Sequence, residues 1–476
     1  MIQNKSYSYA IRLAVIYALV WFIDLLDAST LNVTLPAIAQ SFHINPPDAE
    51  WAIVGFLLSM TIGLTISGWL GDNYGTRRIF LLSQLIYIGS SIGCGFSFDL
   101  PSLILFRLLQ GFAGGMAIPL GMAALMRAMP QTQWAKTSAY MNMVTLVAPA
   151  LGPLFGAYVT SLIGWQWIFF LKIPLSCFCF ALSLYWVRKE ENHEVSRFDW
   201  PGFILGGLSL SGILWVFSEI GKNTSDQILI TTAILAILFA IIFIRIEKRS
   251  KSPLIPLSIF RNQHFTFGNL IQSGANTIFL GANFIIALYL QQGLGFDLVS
   301  TGWIMSAITP GMLLVQPLVG KFYNRLGPLP FIIPGLLVLS LSTLAFAITT
   351  AQTSPYLLGF LVFCIGAASS FTQTANVSSI FSGLSHKYKG AGSSIYSLFK
   401  QVSASFGVAI STMVLSLGMK VNGYMPSPTP FHYCFIVLGA IPAISLLFCF
   451  YIDNKKALKQ ITTPSHTPTE TEFGTE

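Results

Sequence analysis

Charge is what this sequence has least of. Of its 476 residues only 9% are Asp, Glu, Lys or Arg, against 54% hydrophobic ones. A soluble domain carries about 25% charged residues. A chain of this length cannot cover a water-facing surface with so few, and its mean hydropathy of +0.68 points the same way. That excludes a soluble enzyme or binding module and leaves a polytopic membrane protein. Cysteine is scarce as well. Cys94, Cys177, Cys179, Cys364, Cys434 and Cys449 all lie in apolar runs and none has the spacing of metal ligands. They read as small apolar fillers, so no metal and no cofactor is expected. No H-E-x-x-H, G-x-S-x-G or Walker pattern occurs, which argues against catalysis. No cleavable leader is expected either, because MIQNKSYSY runs into a long apolar segment without a small-residue cleavage site.

What is present is a succession of apolar runs. A membrane-spanning helix needs about 20 such residues. Fourteen runs qualify, at roughly 11–34, 51–70, 79–98, 102–126, 137–160, 165–187, 201–220, 227–247, 266–291, 300–319, 329–350, 355–381, 390–418 and 431–452. The basic residues then orient them. Twenty-one of the 26 Lys and Arg fall on the side of the N-terminus. Only Lys222 and Lys420 fall on the other side, while Arg107, Lys172 and Lys400 lie inside spans. Both termini are therefore expected in the cytoplasm. The net charge of +8 is a topology signal, and no nucleic-acid partner is expected. The tail after 452 is polar and Thr-rich and reads as disordered.

Two further features stand out. Asp24 and Asp27 interrupt the first span within WFIDLLDASTLNVTLP (21–36). Three residues apart, they share a helix face, and charge inside a membrane is costly enough to suggest a function. Such neighbours titrate as a coupled pair. The structural alternative pairs them with Lys172 or Lys400. The second feature is a repeat. GWLGDNYG (68–75) follows the second span and GKFYNRLG (320–327) follows the tenth. A shift of eight spans fits two six-helix units separated by two extra helices, and duplicated halves around a central site are a transporter design.

Longer motifs carry a family resemblance across nearly the whole chain up to the tail. SGWLGDNYGTRR (67–78) resembles the G-x-L-x-D-R-x-G-R-R loop of the major facilitator superfamily, with Asn73 and Thr76 departing from the pattern. FRLLQGFAGG (106–115) resembles the R-x-x-q-G segment of its fourth helix. APALGPLFGAYV (148–159) resembles the antiporter signature G-x-x-x-G-P-x-x-G-G, matching at Gly152, Pro153 and Gly156. GWQWIFFLKIP (164–174), FDWPG (198–202) and GAGSSIYSLFKQVSASFGVAI (390–410) are similar to segments of the fourteen-helix drug:proton antiporters. LLDASTLNVTLPAI (25–38) resembles their first helix, with Asp27, Asn32 and Pro36 matching and Asp24 outside the pattern.

The resemblance implies an all-α fold of two six-helix bundles plus two extra helices. The bundles would be 1–187 and 265–452, the extra helices with their linkers 188–264, and the cytoplasmic tail 453–476. It implies a proton-driven efflux antiporter in the inner membrane, exporting amphiphilic cationic compounds by alternating access. An exporter of an anionic metabolite, siderophore or peptide-like cargo is the alternative, because Lys172 and Lys400 add positive charge. In a Gram-negative cell a periplasmic adaptor and an outer-membrane channel would be partners. Asp27, Asp24 and Arg107 would couple protons. Gly68, Asp72, Gly75, Arg77 and Arg78 would gate, with Gly68 and Gly75 allowing close helix approach and a tight turn. Gly152, Pro153 and Gly156 would form the antiporter motif. Independently of the resemblance, Asn269, Gln272, Asn276 and Asn283 of the ninth span and Gln373 and Asn376 of the twelfth form polar faces at helical spacing, which line either a cavity or a helix contact. The expected substrate cavity draws on Asn32, Lys172, Gln272, Asn276, Asn283, Gln373 and Lys400.

Overall fold

The computed structural model describes residues 2–45, 47–128, 147–149, 151–188, 198–222, 224–250, 253–382, 389–422, 427–452 and 454. Among these there is no strand. Thirteen helices are long and apolar enough to cross a membrane, and a shorter apolar one accompanies them. We number them α1 Tyr9–Ser41, α2 Asp48–Tyr74, α3 Thr76–Gly95, α4 Leu100–Leu125, α5 Val147–Ile163, α6 Trp167–Trp186 and α7 Trp200–Glu219. The rest are α8 Asp226–Arg249, α9 Gln263–Gly293, α10 Leu298–Tyr323, α11 Leu329–Ile348, α12 Pro355–Phe381, α13 Gly392–Val421 and α14 Thr429–Cys449. Each expected span has its helix. The first turns of the fifth and the tail beyond 454 lie outside the described residues. Several helices outrun their apolar stretch: α1 continues through Pro36 to Ser41.

Helices are what the bilayer demands, since backbone groups find no water there. The same pressure acts on the hydroxyls. Thr30 donates to the Leu26 carbonyl at 2.6 Å, Thr61 to Leu57 at 2.9 Å and Ser183 to Cys179 at 2.7 Å. Each polar side chain is thereby satisfied within its own helix.

The repeat in the sequence recurs in the packing. α2 packs on α4 and α3 on α4; eight helices later α10 packs on α12 and α11 on α12. Small residues make both contacts. A methyl group at Gly63 would strike the Phe112 carbonyl, and one at Gly311 the Phe363 carbonyl. Gly115 lies against Met60 in the same way, and Gly366 against Ile308. Gly75 and Gly327 close α2 and α10 at φ of 91° and 77°, a conformation glycine adopts without steric cost. The first glycines of the two loops also match, but not as expected. Gly68 and Gly320 face open space; it is Gly71 whose added methyl would lie 2.5 Å from Leu120.

The N-terminus enters at what we call the proximal end of the bundle; residues 42–45, 220–222 and 294–297 mark the distal end. Side-chain bonds between α1–α6 and α9–α14 lie, among the described residues, from the distal end to mid-depth. Gln291 donates to the Val33 carbonyl at 2.9 Å, Trp303 to the Tyr158 hydroxyl at 3.2 Å, and Gln401 to the Leu57 carbonyl at 3.5 Å. The apolar core follows the same division. One buried cluster joins Leu31, Leu35 and Phe56 to Ile285, Leu288 and Ile304. Toward the proximal end the first six helices keep their own cluster around Tyr17, Phe80 and Leu120, and the last six another around Phe265, Ile380 and Ile395. Among the described residues the two halves are joined distally and not proximally.

Candidate functional site

The charged residues of the spans meet inside the first six helices. Asp27 of α1 is 1% exposed and forms ion pairs with two cations, Arg107 of α4 and Lys172 of α6, themselves 1% and 2% exposed. Both cations are too deeply buried to reach water by extending outward. Arg107 also donates to Gln110 Oε1 at 2.6 Å and to the Ala52 carbonyl at 2.9 Å. Gln110 passes the chain on to Ser91 at 2.8 Å. Aromatic faces shield the pairs, with the Phe56 ring 4.1 Å from the Arg107 guanidinium and the Phe169 ring 4.8 Å from the Lys172 ammonium. Such a site holds charge only because each member is paired.

Local sequence explains the meeting. α6 is two helical segments, Trp167–Phe170 and Ile173–Trp186, with Lys172 at the break. Pro174 sits in the first turn of the second segment, where its missing N–H is tolerated. The break delivers the lysine to α1.

Asp24 makes no ion pair with this cluster among the described residues, although it lies within electrostatic reach of both Arg107 and Lys172. It lines a cavity of about 30 Å³ with Tyr87, Gln84, Ser83, Ser176 and Cys179, enough for a water molecule or two. Its Oδ1 and the Tyr87 hydroxyl have no hydrogen-bond partner among the described residues. Gly114 makes room for it: a side chain there would strike the carboxylate. The two acids expected to act as one pair thus have different surroundings.

The antiporter-motif residues pack α5 between α1 and the last six helices. A methyl at Gly152 would overlap Ser29, and one at Gly156 would lie 2.8 Å from Thr30 Cγ2. Both contacts are within a turn of Asp27. On the far side, a methyl on Gly302 of α10 would lie 2.7 Å from Ala157 and 3.0 Å from the Pro153 carbonyl. In the first turn of α3, Arg77 donates to the Leu184 carbonyl at the end of α6 at 2.7 Å. Asp72 and Arg78 are exposed and make no ion pair among the described residues.

The expected cavity residues divide. Asn276 donates to the Lys400 carbonyl at 2.5 Å, and Gln272 accepts from Asn376 at 3.3 Å; these side chains join α9 to α13 and α12. Asn283 and Gln373 bond within their own helices, at 2.6 Å to the Phe279 carbonyl and 2.9 Å to Ser369. Asn32 is buried, Lys172 belongs to the Asp27 cluster, and only the Lys400 side chain is solvent-exposed. Sequence reasoning passed over Glu50, a fully buried acid at the start of α2. It precedes an apolar run and looks like an ordinary wet helix start.

The family model described as Major Facilitator Superfamily matches residues 17–408 and 283–472. The chain belongs to the major facilitator superfamily. It is 29% identical over 445 residues to an Escherichia coli O157:H7 protein named "Putative multidrug resistance protein MdtD", covering 92% of this chain and 94% of that one. It is 27% identical over 406 residues to "Probable transport protein HsrA" of Haemophilus influenzae, covering 85% and 88%. Two solved folds are similar. One is a bacterial homolog of the human lysosomal transporter Spinster, inward-facing and unoccupied, with a TM-score of 0.64, 14% identity and coverage of 96% and 99%. The other is the POT family transporter PepTSo, with a TM-score of 0.68, 13% identity and coverage of 94% and 98%. This superfamily member is a multi-pass membrane transporter for small molecules, and not an enzyme.

Proposed function

We propose that this superfamily member is a proton-driven efflux antiporter of the inner membrane, exporting amphiphilic cationic compounds by alternating access. The charge asymmetry of its loops supports placing both termini and the proximal end in the cytoplasm. The repeated packing of α2–α4 and α10–α12 supports two six-helix bundles that rock about the divided interface. The multidrug-resistance relative supports the cargo class.

Asp27 carries the reading. Its carboxylate is the counter-charge for two buried cations on two other helices. A proton on Asp27 removes that charge and leaves Arg107 and Lys172 without an ion-pair partner, with only the more distant Asp24 carboxyl to offset them, so α1, α4 and α6 must rearrange. The next turn of α1 bears on α5, which bears on α10. Protonation therefore has a packed route to the contact between the bundles. Asp24, in its own small cavity, is a second proton acceptor reached through water. The test is Asp27→Asn in everted vesicles, following cationic-dye efflux and acid loading together. We expect proton-coupled efflux to be abolished; unchanged efflux would overturn the coupling role.

The exposed ammonium of Lys400 favours one second reading, an anionic cargo. Anionic dyes extruded in preference to cationic ones, with the preference lost in Lys400→Gln, would establish it instead.

A further inference from the structure

The first extra helix, α7, and the loop that follows it meet both bundles at the closed, distal end, and they do so around Glu50. Ser218, in the last turn of α7, donates to Glu50 Oε1. Lys222, in the α7–α8 loop, donates to the same oxygen at 3.3 Å. Thr412 of α13 places its hydroxyl beside that carboxyl as well. Next to Lys222 the backbone itself is seated on α13. Gly221 has φ of 89°, and a methyl there would lie 2.8 Å from the Leu417 nitrogen. One turn back, Phe217 packs on Phe406 of α13 with ring centroids 5.7 Å apart. At the distal end α7 and its loop thus grip the first bundle by an acid and the second by close apolar contact, while at the proximal end Trp200 of α7 stays packed on Trp69 of α2, ring centroids 5.6 Å apart.

Burial says which of the lysine's contacts matters. Lys222 approaches Asp48 at 3.7 Å, Glu219 at 3.3 Å and Glu50 at 3.3 Å. Asp48 is 40% exposed and Glu50 0%. An exposed pair contributes little, whereas a buried acid that loses its cation, for Glu50 Lys222 alone among the described residues, is left uncompensated. Burial pulls the Lys222 ammonium toward the neutral form, but Glu50, Glu219 and Asp48 outweigh it and its pKa is raised. The lysine is charged at any pH the outer surface meets.

We propose that the α7–α8 pair is a strap across the distal gate, with Lys222 holding Glu50 of the first bundle while Gly221 and Phe217 stay on the second. The Glu50–Lys222 pair is the junction that parts when the distal end opens. Lys222 is already partly exposed and can exchange its partner for water; the apolar seat on α13 cannot. The two residues are positioning groups that set the balance between closed and open, apart from the Asp27 cluster.

The proposal rests on alternating access, and a distance measurement tests it without any proton gradient. Spin labels at Ser161→Cys and Gln292→Cys, exposed positions on opposite bundles at the distal end, report opening in full-length protein in lipid nanodiscs. Exposed Cys177 is replaced by Ser. We expect a short distance in the parent and a longer population in Lys222→Gln and in Glu50→Gln, with Lys222→Arg keeping the short one. An unchanged distribution in folded Lys222→Gln overturns the strap. So does a lengthening that Lys222→Arg shares, because loss of charge would not then be its cause. A fixed distance in the parent across all pH and dye conditions would instead count against alternating access itself.

Discussion

Two aspartates three residues apart have opposite situations in this protein. Asp27 is saturated by two cations, and Asp24 leaves an oxygen facing a small cavity. Helical spacing placed them on one face, and that much was legible. Spacing cannot say which neighbouring helix each will meet, because the answer depends on the Lys172 break in α6 and on the bare α-carbon of Gly114. The glycines of the α2–α3 loop teach the same lesson. Gly75 has φ of 91° and Gly68 has open space around it. Gly75→Ala should therefore cost about 1–3 kcal/mol. Gly68→Ala, in an ordinary helical position, should be neutral or stabilising by up to about 1 kcal/mol. Thermal unfolding in detergent compares them, and equal losses in both would show that the turn conformation is not what the motif protects.

At the scale of elements, the helices themselves were readable from apolar length, and only their ends moved. Pro36 does not stop α1, and α2 begins at the Asp48–Glu50 turn, with Ala49 and Glu50 buried, rather than at Trp51. Polar periodicity was less informative. The Asn and Gln residues of α9 and α12 have the spacing of a cavity wall, yet Gln272, Asn276 and Asn376 bond between helices. Period gives a face but not what covers it. The element with most at stake is α5. Its glycines meet α1 beside Asp27, and its other side meets Gly302 of α10. Gly156→Val should cost about 1–3 kcal/mol in overpacking and should reduce efflux far more than it reduces the amount of folded protein in the membrane. Gly207→Val in α7, where nothing lies within 4 Å, is the control and should leave efflux intact. Equal efflux from the two, normalised to folded protein, would remove α5 from the coupling route.

At the scale of the molecule, a core that is continuous at one end and split at the other defines a single conformational state. The buried cluster that crosses between the halves does so through distal residues such as Leu31, Phe56, Ile285 and Ile304 and runs on through the last six helices to Tyr323 and Cys449, while the first six keep a separate proximal cluster around Tyr17 and Leu120. No sequence pattern announces this, because both states of such a protein bury the same residue types and differ only in which bundle faces touch. If the distal contact must open on every cycle, fixing it should stop transport. Ala157 and Gly302 are suited to the purpose, since a methyl at Gly302 would lie 2.7 Å from Ala157 Cβ. A disulfide needs about 3.8 Å between Cβ atoms, a separation that a small shift supplies. In Ala157→Cys/Gly302→Cys, oxidation should abolish efflux and a reductant should restore it, whereas each single mutant should be insensitive to both. Efflux that survives complete cross-linking would mean that the bundles do not separate at this contact, and the transport path would have to lie elsewhere in the fold.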